Sequence, residues 1–125
     1  METKEDLMSR ESVVMAIREF ERRLAESTDV WAMGHNGIPE YMHQGLLDYV
    51  RHGLAPGHFL WAVLSNDLME AFGRADPNNR DAMQSYVMFL YNIMPGGSHG
   101  SDEKVMRWVR SHEAMRAEGS SDDDV

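Results

Sequence analysis

The 125-residue chain is 42% hydrophobic and 26% charged, the balance of a single globular domain long enough to bury a core without staples. It has no cysteine, which excludes disulfides, thiolate zinc sites and cysteine nucleophiles. Acids outnumber Lys and Arg 21 to 12, for a net charge of -9, which argues against direct nucleic-acid binding, because that needs surplus cations to displace counterions from phosphates.

Apolar periodicity predicts an all-α fold, a small bundle of about five helices with no strand. The first helix is expected over residues 3–25. Val13, Ile17, Phe20 and Leu24 recur at spacings of four, three and four and form one stripe, which Leu7 would extend by a turn. Residues 1–27 are therefore read as an amphipathic N-terminal helix, used either for docking on its own domain or for homo-oligomer formation through residues 3–25. A connector over 27–37 follows, in which Gly34, Gly37 and Asn36 permit left-handed backbone and Trp31 and Met33 tuck inward.

Residues 28–116 form the expected core domain. Its second helix begins near Pro39, buries Ile38, Met42, Leu46, Tyr49 and Val50, and stops at Gly53. A third helix is expected over 58–74. Ser65, Asn66 and Asp67 interrupt its pattern, and Asn66, Glu70 and Arg74 would share one face, with a Glu70–Arg74 pair. Asp76 caps a fourth helix with Pro77 at its first position; that helix, 77–94, is apolar nearly all round and is expected to be central. Ser101 or Asp102 caps a fifth, with Val105, Trp108 and Val109 facing inward. Residues 117–125 are a Ser/Asp-rich tail expected to be disordered. The eleven methionines fit core filling, with a pliable contact surface as the alternative.

No apolar run approaches the roughly 20 residues that span a bilayer, and the charged N-terminus has no signal-peptide core. A cytoplasmic protein without membrane contact is expected. No cofactor is implied, since Rossmann, P-loop, kinase and nucleophile-elbow motifs are all absent. Among His35, His43, His52, His58, His99 and His112 no HExxH or i,i+4 pair occurs, so no metal site is expected, and no catalytic residue is assigned.

The loop 95–101 opens directly into a helix. Gly97, Ser98, His99, Gly100 and Ser101 supply close-approach backbone and hydrogen-bond donors at a positive dipole end, an arrangement suited to an anion. Its rival is an ordinary glycine-rich connector. Asn66, Asp67, Arg74 and Asn92 are polar groups in apolar surroundings, and either satisfy one another or line something wet.

The segments IPEYMHQGL (38–46), YVRHG (49–53), PGHFL (56–60), AVLSNDL (62–68), EAFGRAD (70–76), FLYN (89–92) and GS (100–101) together resemble a family of small accessory proteins of tailed bacteriophages and prophages. The match spans about residues 37–109. It implies work in an infected bacterial cytoplasm and no catalytic residues. Two functions follow as expectations. One is a non-enzymatic phage protein that binds a small anionic, nucleotide-like ligand, sequestering an antiviral defence signal, through Asn66, Asp67, Arg74, Asn92 and residues 97–101. The other is a protein–protein module that inhibits or redirects a host factor. An enzyme is the third and least supported reading.

Overall fold

Helix α1, Arg10–Glu26, starts where Ser9 accepts a hydrogen bond from the Ser12 amide at 3.1 Å. The computed structural model describes residues 6–123, with side chains to residue 119. All four members of the α1 stripe face the core: Val13 and Phe20 are fully buried, and Ile17 and Leu24 pack against them. Phe20 meets Phe89 edge to face with ring centroids 6.5 Å apart. Arg51 grips Glu21 through Nε and Nη2 at 2.6 and 3.0 Å, tying α1 to the second helix. The stripe thus packs inside the domain. Leu7 does not extend the helix. Residues 6–9 are non-helical and strapped to the last helix by Met8 N–H donating to Ser111 Oγ at 2.9 Å. The expected start at residue 3 lies outside the described residues.

Trp31 closes the connector by stacking between His43 and Phe89, at centroid distances of 3.9 and 4.8 Å. Gly34, Asn36 and Gly37 all adopt positive φ there. One tight turn at Glu40–Met42 then leads into α2, His43–His52, which buries Leu46, Tyr49 and Val50. Gly53 ends it in left-handed conformation, φ 66°.

The expected helix over 58–74 is two helices, α3 (His58–Leu64) and α4 (Leu68–Arg74). Helix α5 (Pro77–Asp81) starts with Asp76 accepting from Asn79 N–H at 2.7 Å. It breaks from α6 (Met83–Asn92) at Ala82, where the expected helix was continuous. Asn79 turns into the core there and accepts from Tyr86 Oη at 2.6 Å.

Helix α7, Asp102–Asp123, carries the buried Val105, Trp108 and Val109. Trp108 Nε1 donates to the Tyr49 carbonyl at 2.8 Å, and Tyr49 Oη donates to the Ser98 carbonyl at 2.6 Å. This chain of buried bonds locks α2, the 96–98 turn and α7 together. Helical backbone continues to Asp123 through the Ser/Asp-rich stretch expected to be disordered; residues 124 and 125 lie outside the described residues. The whole is all-α, with seven α-helices and no strand among the described residues.

Candidate functional site

The break between α3 and α4 is encoded in Ser65-Asn66-Asp67. Asn66 N–H donates to the Val63 carbonyl at 3.1 Å and Asp67 N–H to the Ala62 carbonyl at 2.9 Å. Those are the two bonds of a Schellman stop, with Asn66 left-handed at φ 65°. Asp67 then caps the next helix, its Oδ1 accepting from Glu70 N–H at 3.2 Å. Three residues that disfavour a continuous helix therefore serve as one helix's exit and the next helix's entrance. The freed Leu64 carbonyl accepts from Gly100 N–H at 2.8 Å, which brings the 98–101 loop to the break.

Turning the chain here gives α4 only a thin hold on the core. Ala71 is buried, whereas Leu68 and Met69 are 65% and 84% exposed, and Phe72 is exposed beside them. Across from it, α6 buries Ser85, Tyr86 and Phe89 but leaves Val87, Met88 and Tyr91 exposed, Tyr91 at 85%. This corrects the expectation that the helix is central: one side faces the core and the other is an apolar surface. Between α4 and α6 lies a groove of about 270 Å³, floored by Ala62, Leu64, Ala71 and Leu90. Leu68, Met83, Val87 and Tyr91 wall it, and Asn66, Asp67, His99 and Gly100 form its polar rim. Burial, then the Lys104 charge, holds His99 below the ordinary histidine range, which keeps it a neutral rim group at neutral pH.

Four of the nine residues singled out from sequence, Asn66, Asp67, His99 and Gly100, meet at this rim. The other five go elsewhere. Arg74 Nε is paired with Glu70 Oε2 at 2.6 Å on the outside of α4. Asn92 Nδ2 donates to the Met88 carbonyl of its own helix at 2.9 Å. Ser98 is buried and its Oγ donates to the Pro95 carbonyl at 2.7 Å. Gly97 lies against the Met8 thioether. Ser101 caps α7, accepting from Lys104 N–H at 3.1 Å. Asn66, being left-handed, shares no helical face with Glu70 and Arg74, although the expected Glu70–Arg74 pair is present. The α7 dipole end is faced by the chain's own Asp102 and Glu103 in its first turn. The apolar lining is what sequence reasoning missed. Its signal was the fourth predicted helix, too apolar on every side for one buried face to absorb.

A second hollow adjoins the groove and shares Ala62 and Asp67 with it. His58, Trp61, Ser65, Glu70 and Asp102 complete its lining. Trp61 Nε1 donates to Asp102 Oδ1 at 2.6 Å. The hollow is acidic, with three carboxylates of which only Glu70 has a cationic partner among the ion pairs of the described residues. Among the described residues no three His, Asp or Glu side chains gather to hold a metal ion, and no helix is long and apolar enough to cross a membrane. No protein-family model, curated protein or solved structure matches the chain.

Proposed function

We propose that this chain is a non-enzymatic interaction module that seats an apolar segment of a partner protein in the α4–α6 groove. The observation that carries the proposal is the exposure of Leu68 on one wall and of Val87 and Tyr91 on the other, with Met69, Phe72 and Met88 exposed on the same two helices outside the groove. Apolar side chains left exposed on two neighbouring helices cost solubility, and such patches mark contact sites. Met and Tyr suit the role: the thioether adapts its shape, and the phenol joins a large apolar face to a polar tip. Taken with the phage resemblance, the partner is a host-cell protein that the module blocks or redirects in the bacterial cytoplasm.

The test is recovery of a partner from bacterial lysate by the intact chain, compared with two variants. Leu68→Glu/Tyr91→Glu places charges in the groove, and Met15→Glu alters an exposed methionine on α1, outside the groove. One protein bound by the wild type and by Met15→Glu, and lost from the double variant, supports the proposal. Unchanged recovery by the double variant refutes it.

A small anionic, nucleotide-like ligand is the second reading, supported by the Asn66, His99 and Gly100 rim. Thermal melting against a nucleotide panel tests it, since a ligand at 100-fold its Kd stabilises by about 2.7 kcal/mol. The apolar floor and the carboxylates of the adjoining hollow favour the protein partner.

A further inference from the structure

We infer that the segment received by the groove is a basic amphipathic helix, whose Lys or Arg side chains enter the acidic hollow while its apolar face covers α4 and α6. The inference rests on the groove being a contact surface and adds the chemistry of what fills it.

The two concavities adjoin, since Ala62 and Asp67 line both. A segment that lies along the apolar wall and runs past Asp67 brings its side chains within reach of Glu70 and Asp102 as well. Each already accepts one hydrogen bond: Asp67 from Glu70 N–H, Glu70 from Arg74, and Asp102 from Trp61. A carboxylate has roughly four lone-pair sites, so each keeps capacity for a further donor. Three negative charges against the one paired arginine leave an excess that Lys or Arg on a partner would neutralise, and such complementarity sets partner choice more than raw affinity.

Charge also weighs against a second copy of this chain as the occupant. The chain is acidic at -9, and Arg10, Arg22, Arg51 and Arg80 among its arginines are paired with its own Glu118, Glu26, Glu21 and Asp81. A twofold contact across the groove would bring two such acidic rims into one interface. A helix fits better than an extended strand. The groove is walled by side chains of two helices and offers no open sheet edge, and an i, i+3, i+4 apolar stripe fills such a groove.

The experiment uses two designed amphipathic helical peptides with identical leucine faces, one flanked by lysine and the other by glutamate at the same positions. Binding to the full chain is read by fluorescence anisotropy at low and high salt. The lysine peptide is expected to bind about tenfold or more tightly than its twin, with a preference that shrinks as salt rises. The double variant Glu70→Gln/Asp102→Asn keeps side-chain shape and should erase most of that preference. Equal binding of both peptides, lost in Leu68→Glu/Tyr91→Glu, would leave the groove as a contact surface and overturn the basic-helix inference. Failure of both peptides to bind would overturn both. A free chain that sediments as a dimer, and as a monomer after Leu68→Glu/Tyr91→Glu, would overturn the inference by giving the groove to a second copy.

Discussion

The backbone of Gly53 lies directly against the His112 ring. A Cβ added at Gly53 would overlap Cβ, Cγ and Cδ2 of that histidine, and Gly53 also holds a left-handed φ of 66°. The glycine that stops α2 is therefore also the seat on which α7 packs. Gly53→Ala should combine a left-handed penalty of roughly 1–2 kcal/mol with overpacking of about 1–3 kcal/mol. Urea unfolding measures the sum. In a His112→Gly background, which removes the Cβ as well as the ring, the overpacking part should vanish, leaving roughly 1–2 kcal/mol for the backbone. A Gly53→Ala cost that is the same in both backgrounds would show that the two residues do not compete for space.

His112 has a second consequence. It is buried, its Nε2 has no hydrogen-bond partner, and it sits edge-on to Trp108. Burial foremost, then the Arg116 and His52 charges, pushes its pKa down to about 4 from an ordinary 6.5. Between those values the unfolded chain binds a proton that the folded chain refuses. Stability is therefore full above pH 6.5 and falls as pH drops toward 4, by up to about 3 kcal/mol. Unfolding free energies at pH 7 and pH 5 should differ more for wild type than for His112→Gln. Equal slopes would contradict this.

The α1 helix should be inseparable from the domain. Phe20 is fully buried against Phe89, so Phe20→Ala should cost about 3–5 kcal/mol. Removal of residues 1–27 should leave a chain without a cooperative thermal transition in circular dichroism. A truncated chain that melts like the intact one would make α1 an appendage.

Asn66 should respond to its backbone and not to its side-chain volume. Exposed and left-handed, it should accept Asn66→Gly with little change, whereas Asn66→Val should cost roughly 1–2 kcal/mol by chemical denaturation. Equal tolerance of both would mean that the Schellman stop is not what ends α3.

Much of the architecture was legible in the sequence because it is written locally. The Val13–Leu24 stripe, the Gly53 stop, the Asp76-Pro77 start and the inward Val105, Trp108 and Val109 all follow from spacing or capping chemistry that a few neighbouring residues determine. The break at Ser65-Asn66-Asp67 was visible as a conflict but read as a polar stripe. The local stop is joined there by a bond that spacing does not reveal, Gly100 N–H reaching the Leu64 carbonyl from far along the chain. The site was legible only in part. Asn66, Asp67, His99 and Gly100 meet because of that same long-range bond, whereas Arg74, Asn92, Gly97, Ser98 and Ser101 each find a local use. The apolar walls escaped notice because an apolar residue reads as core until the fold leaves it uncovered, as at Leu68 and Tyr91.

The most direct measurement places a photo-crosslinking phenylalanine analogue at Tyr91, and separately at Met15, in the full chain expressed in bacteria. Irradiation should give one discrete protein adduct from position 91 and none of that mass from position 15. No adduct at position 91, or the same adduct from both positions, would contradict the groove as the contact surface.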